Sequence, residues 1–193
     1  MLYYIIQVII QLKTGHHFTI KLTFFCTGLY PVYEKEEEFA VVESNLLTTL
    51  TTLGKEWRIT FDFKPTDYDH NNWTSLIHLT ADGNNETVYG DRTPAIFFHP
   101  DLGMHVLSSF NGNPTYSVDL NQPPPVGEWT TIMMSQAEST GGEFVFKTEI
   151  NGTESFTAVN VQAQEFSSVK VYASDPYYTA QPGLIRNLVI WSV

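Results

Sequence analysis

The stretch "WRITFDF", residues 57–63, decides the fold class: Trp57, Ile59, Phe61 and Phe63 fall on one side of an extended chain, Arg58, Thr60 and Asp62 on the other. A period of two is what a strand with one buried face requires. Nine further short runs follow: "SLIHLT" (75–80), "AIFFH" (95–99), "MHVLSSF" (104–110), "YSVDL" (116–120), "WTTIMMS" (129–135), "EFVFKTEI" (143–150), "ESFTAVNV" (154–161), "SVKVYAS" (168–174) and "LIRNLVIW" (184–191). Asp82-Gly83, Asn111-Gly112, Gly141-Gly142 and Asn151-Gly152 punctuate them, and such pairs tolerate the positive φ angles of tight turns. "NQPPPVGEW" (121–129) cannot be a central strand, because proline donates no ladder hydrogen bond; it reads as an extended crossing between sheets. No run has helical apolar spacing. Ten strands without helices indicate an all-β chain folded as two packed antiparallel sheets or a closed barrel, and the two-sheet β-sandwich is the expected architecture.

With 193 residues, 42% of them hydrophobic and 14% aromatic, the chain can enclose one substantial core. The formal net charge of −11 excludes nucleic acid and anionic lipid surfaces as partners, since both would be repelled on average. Part of the excess lies in "EKEEEF" (34–39), which reads as a solvated linker. The expected division is a targeting segment or ill-defined start over 1–30, an acidic linker and first strand region over 31–54, and the sandwich over 55–193.

The first apolar run, "MLYYIIQVII", carries no basic residues, and "QLKTGHH" separates it from "FTIKLTFFCTGLY". Neither run reaches the roughly 20 residues that cross a bilayer, so membrane insertion is not expected. The second run reads as a signal-peptide core or as an extra strand. Cys26 is the only cysteine, so there is no intrachain disulfide and no cysteine zinc cluster. Acceptor sequons begin at Asn72, Asn85 and Asn151 and favour a secreted or cell-surface location.

"GKEWRITFDFKP", "GEWTTIMMSQ", "EFVFKTEING" and the closing "GLIRNLVIW", in that order over residues 40–193, resemble the laminin G-like and pentraxin-like branch of the concanavalin A-like lectin sandwiches. The resemblance implies a jelly-roll scaffold whose loops bind a glycan or a protein, in some members with calcium. It puts Asp91, in "GNNETVYGDRTPAIFFHP", at the place of a calcium-binding aspartate. Calcium takes six to eight oxygens, so further donors are needed, and Asn113 and Asp175 are the candidates. The residues alone allow a second reading, in which Asp91 accepts backbone hydrogen bonds within a turn. Asn84, Asn85, Tyr177 and Tyr178 are the candidate ligand-binding residues: amides hydrogen-bond, and tyrosines offer an apolar body with a polar tip. Tyr89, Tyr116 and Trp73 share that ambiguity. His78, His99 and His105 alternate with apolar residues inside strands and read as structural. Arg186 and Asn187, in a strand whose two faces both look buried, need hydrogen-bond partners, because an unpaired buried polar group costs about 1–3 kcal/mol.

Catalysis is not expected. Glycosidases on this scaffold use paired carboxylates about 5–5.5 Å apart, and the nearest stretch, "EFVFKTEI", lacks acids at alternate positions between Glu143 and Glu149. Neither a G-x-S-x-G elbow nor a phosphate loop is present. The expected function is a non-catalytic extracellular binding module for a glycan or protein, with calcium as a candidate cofactor. A self-associating adhesive domain and a glycan-cleaving enzyme are the alternatives.

Overall fold

The computed structural model describes residues 9–11, 17–19, 28–101, 103–120 and 122–193. In chain order the strands are β1 Ile9–Gln11, β2 His17–Thr19, β3 Tyr30–Lys35, β4 Phe39–Ala40, β5 Leu46–Leu53, β6 Trp57–Pro65, β7 Thr74–Thr80, β8 Ala95–Phe98, β9 Met104–Phe110, β10 Asn113–Leu120, β11 Thr130–Glu138, β12 Phe144–Ile150, β13 Thr153–Asn160, β14 Phe166–Tyr172, β15 Thr179–Ala180 and β16 Gly183–Ser192. No helix occurs among the described residues. Among the described residues β1 and β2 pair only with each other; residues 1–8, 12–16 and 20–27 of the expected targeting segment, Cys26 included, lie outside the described residues, and its last residues lead into β3.

The other strands form two seven-stranded sheets. The first runs β10-β9-β8-β7-β14-β5, with β15 against β7; the second runs β13-β12-β11-β6-β16-β3, with β4 against β16. Pairing is antiparallel except for the short parallel contact of β15 with β7. All ten strands expected from the sequence are present, and residues 122–129 lead from β10 in the first sheet to β11 in the second. Asn111-Gly112 and Asn151-Gly152 have positive φ at both positions, as two-residue hairpins need.

The core fills the space between the sheets. Trp57, Ile59, Phe61 and Phe63 of β6 are buried, while Arg58, Thr60 and Asp62 face outward. Ile132 and Met134, Ile185, Leu188 and Ile190 extend that layer, and Ile77, Leu79, Ile96, Phe98, Met104 and Val106 answer from the first sheet. Phe63 meets Phe98 across the sandwich with ring centroids 5.9 Å apart.

Two expectations are corrected and one is refined. Residues 31–54, expected as an acidic linker and first strand region, are mostly strand: β3 and β4 pair with β16, and β5 pairs with β14. The glutamates of "EKEEEF" do face solvent, but the backbone around them is sheet edge and turn. Asp82-Gly83 closes no hairpin; it opens the long 81–94 connection from β7 to β8. In β16 the strict alternation breaks at Asn187, whose φ of 52° and skipped register form a bulge. The extra residue moves the inward positions from Ile185 to Leu188 and Ile190, leaving Asn187 exposed and Arg186 only half-buried.

The bulge brings Arg186 and Asn187 onto Asp62. Arg186 Nε donates to Asp62 Oδ2 at 3.1 Å, Asn187 Nδ2 donates to the same oxygen at 2.9 Å, and Thr131 Oγ1 donates to Oδ1 at 2.7 Å. The guanidinium also stacks 4.0 Å from the Trp129 ring centroid. Burial by itself would raise the Asp62 carboxyl, but the bonds from Thr131, Asn187 and Arg186 and the guanidinium charge together hold it below the ordinary carboxylate range. A carboxyl with a depressed folded pKa contributes stability that is present above its unfolded pKa and is lost as pH falls through the folded value. The stability gap between the wild type and Asp62→Asn is therefore expected to be constant above the carboxylate range and to close on acidification. Urea titrations at stepped pH check this; a gap independent of pH contradicts it.

Candidate functional site

β8 reads "AIFF" because both of its faces are covered. Ile96 and Phe98 point into the core, while Ala95 and Phe97, with Leu107 of β9, form a second apolar cluster on the outer face of the first sheet, joined by Trp73 and Tyr178. The 81–94 connection and the 174–178 segment fold over this face, and two buried aspartates hold them there.

Asp91 is 2% exposed. Its Oδ1 accepts the Gly83 N–H at 3.2 Å and its Oδ2 the Asn85 N–H at 2.8 Å, which closes the 83–91 loop on itself. Asp175 is fully buried; its Oδ1 accepts the N–H groups of Tyr177 at 2.9 Å and Tyr178 at 3.0 Å. Its Oδ2 is hydrogen-bonded to His78 Nδ1 at 2.7 Å, and His78 Nε2 lies 2.5 Å from the Asp91 carbonyl oxygen. His78 thus bridges the two segments through its two ring nitrogens.

Between these anchors lies a cleft of about 210 Å³ lined by Trp73, Glu86, Arg92, Phe97, His105, Leu107 and Tyr178. Arg92 is 4% exposed and is aimed by its neighbours: Nε donates to Asn84 Oδ1 at 2.9 Å, an N–H donates to Glu86 Oε1 at 3.3 Å, and the guanidinium lies 5.8 Å from the Phe97 ring centroid. Tyr178 packs on Phe97 at 4.9 Å, and Trp73 lies against the imidazoles of His99 and His105 at 3.7 and 5.1 Å. Half-buried aromatic rings thus stand beside a held guanidinium, a carboxylate and an imidazole. A larger groove of about 450 Å³ runs between the edges of β3 and β5, but threonines dominate its lining and it carries no charged side chain.

The residues singled out in the sequence fall into three groups. Asp91 and Asp175 come together through His78; Asn84 and Tyr178 reach the cleft, one by holding Arg92 and one by lining it. Asn85 is exposed and caps its own turn through Thr87, and Asn113 Oδ1 accepts the Thr115 N–H at 2.9 Å. Tyr177 is half-exposed; burial, followed by Tyr172, Asp175, Asp91 and Asp82, pushes its phenol upward, so the hydroxyl stays neutral. The sequon asparagines Asn72, Asn85 and Asn151 are all exposed. The role of Arg92 and Glu86 was missed, although "NNETVYGDR" places both close to Asp91.

No protein-family model and no curated protein matches the chain. Solved structures do. A native heptameric SAP-like pentraxin from Limulus polyphemus is similar at 11% identity with a TM-score of 0.53, over 81% of this chain and 76% of that one. Domain 4 of an extracellular GH43 arabinanase from Geobacillus stearothermophilus, solved in complex with arabinotriose, is similar at 18% identity and 0.51, over 75% of this chain and 65% of that one. The receptor binding domain of botulinum neurotoxin D is similar at 12% identity and 0.54, over 86% of this chain but only 43% of that one. The likeness is one of fold, a jelly-roll β-sandwich that serves both binding domains and parts of glycan-cleaving enzymes.

Proposed function

We propose that the chain is a non-catalytic binding module that takes one unit of an oligosaccharide in the outer-face cleft. The observation that carries this reading is the convergence of Trp73 and Tyr178 with Arg92, Glu86 and His105 in one cleft. Aromatic faces cover the apolar side of a sugar ring, while guanidinium, carboxylate and imidazole hydrogen-bond its hydroxyls. At about 210 Å³ the cleft is smaller than the roughly 300–1,000 Å³ of enclosed small-molecule sites, which suits one ring of a longer chain lying partly in solvent. A protein partner would want a broad apolar patch. In this reading Asp91 and Asp175 clamp loops, each of their carboxylate oxygens accepting a hydrogen bond. A secreted or cell-surface setting, where glycans abound, fits the exposed sequons; among the described residues no helix is long and apolar enough to cross a membrane.

The test is a panel of plant, microbial and animal oligosaccharides, followed by calorimetric titration of the hits. Trp73→Ala and Tyr178→Ala are each expected to weaken binding by at least about tenfold, equivalent to about 1.4 kcal/mol. Absence of binding to every oligosaccharide, or equal affinity in both variants, overturns the cleft as the site. Release of reducing ends or unsaturated products overturns the non-catalytic part.

A further inference from the structure

Next to the cleft, three adjacent strands of the first sheet bring two imidazoles and a carboxylate together. His99 follows β8 two positions after Phe97, on the same outer face; His105 of β9 is the cross-strand partner of Phe97 and also of Asp119 in β10. The ligand atoms of His99, His105 and Asp119 all lie within 4.8 Å of one another. We infer that these three side chains form a binding site for a divalent transition metal of the zinc class.

The donor set selects the ion. Two imidazole nitrogens and one carboxylate suit zinc and its neighbours, whereas calcium and magnesium require nearly all-oxygen surroundings. The backbone is fixed: the His99 N–H donates to the Gly103 carbonyl at 3.0 Å, and the β9–β10 ladder sets His105 opposite Asp119. Trp73 packs on both rings and holds them side by side. A tetrahedral ion with bonds of about 2.0–2.1 Å needs donors roughly 3.4 Å apart, so side-chain rotation alone closes the set. At present His105 Nδ1 donates to Asp119 Oδ1 at 2.5 Å; the ion would take the place of that proton. Asp101 Oδ1 stands 3.4 Å from His99 Nδ1, positioned to orient that imidazole as outer carboxylates do at metal sites. Beside these groups a hollow of about 180 Å³, lined by His99, Asp101, Gly103 and Asp119, opens to solvent and leaves room for the ion with a water or an exogenous ligand. The inference does not depend on glycan binding and is read without any sugar.

The full chain, free of affinity tags and stripped by chelator, is titrated calorimetrically with zinc chloride, with calcium and magnesium chlorides as comparators. One zinc per chain is expected, with no comparable calcium or magnesium binding. Losing an outer partner alone costs metal sites about 10–100-fold in affinity, so His99→Ala and Asp119→Asn should each weaken zinc by more than about 100-fold. The double variant His16→Ala/His17→Ala should bind like the wild type, which separates this site from the adjacent histidine pair near the start of the chain. Melting in EDTA verifies that each variant is folded. Absence of stoichiometric zinc binding, wild-type affinity in His99→Ala and Asp119→Asn, or equal affinity for calcium overturns the inference.

Discussion

Asp175→Ala is expected to remove about 3–5 kcal/mol of folding stability, because it deletes a fully buried acceptor and leaves several donors without a partner. Both side chains of the His78–Asp175 pair are fully buried. The substitution leaves His78 Nδ1 facing nothing, and it also strands the backbone N–H groups of Tyr177 and Tyr178, which Asp175 Oδ1 now accepts. Unsatisfied groups of that kind cost about 1–3 kcal/mol each where water cannot reach them. The 174–178 segment is partly exposed, so part of this loss will appear as local opening rather than global unfolding. Urea denaturation measures the first and amide hydrogen exchange at Tyr177 and Tyr178 the second. A loss below about 1 kcal/mol with unchanged exchange would mean that other contacts hold the segment to the sheet.

Phe63→Ala is expected to cost a similar amount, about 3–5 kcal/mol, for a different reason. Phe63 is fully buried in the second sheet and meets Phe98 of the first, so its ring is one of the side chains that join the two sheets. Tyr68, whose hydroxyl donates to the Pro124 carbonyl at 2.7 Å, packs on the same Phe98 ring at 5.2 Å and ties the proline crossing to this layer. Gly183, the cross-strand partner of Pro65, lies so close to Phe63 that a Cβ there would come within 2.5 Å of the ring, which shows how little slack the layer has. A tightly packed layer collapses poorly around a cavity, which places the cost toward the upper part of the range. Equilibrium unfolding with an unchanged m-value checks this; a loss under about 1.5 kcal/mol would show that the two sheets close over the void.

The sequence reveals the strands better than the site. β6 declares itself because its apolar and polar residues alternate without a break and its partners β11 and β16 keep that register over most of its length. β5 hides because "LLTTLTTL" buries only Leu50 and Leu53 and sets four threonines among the other positions of a sheet edge. The two ends of β16 are each legible, but the single residue of slack at Asn187 is not, since a bulge leaves no compositional mark.

The same limit conceals the His99, His105 and Asp119 cluster. Counting outward from the Asn111-Gly112 turn with Phe110 opposite Asn113 sets Val118 opposite His105; the irregularity between Asn113 and Tyr116, where Pro114 cannot donate, advances the register by one and brings Asp119 there instead. The sequence offers Asp91 as a calcium ligand or a turn acceptor and Asp175 as a further calcium donor, because carboxylates look alike in a sequence whether they accept backbone N–H groups or hold a cation. Arg92 gains its place only from the fold, which aims it through Asn84 and Glu86 onto the outer face of β8.

The central claim is that the outer face of the first sheet, and not the hairpin turns, receives the ligand. Chemical-shift mapping of the isotopically labelled chain with the tightest-binding oligosaccharide tests it most directly. The account predicts that the indole N–H of Trp73 and the signals of Arg92, His105 and Tyr178 move with added sugar, while the indoles of Trp57, Trp129 and Trp191 stay in place. Shifts confined to the Asn111-Gly112 and Asn151-Gly152 turns, with Trp73 unmoved, would contradict it.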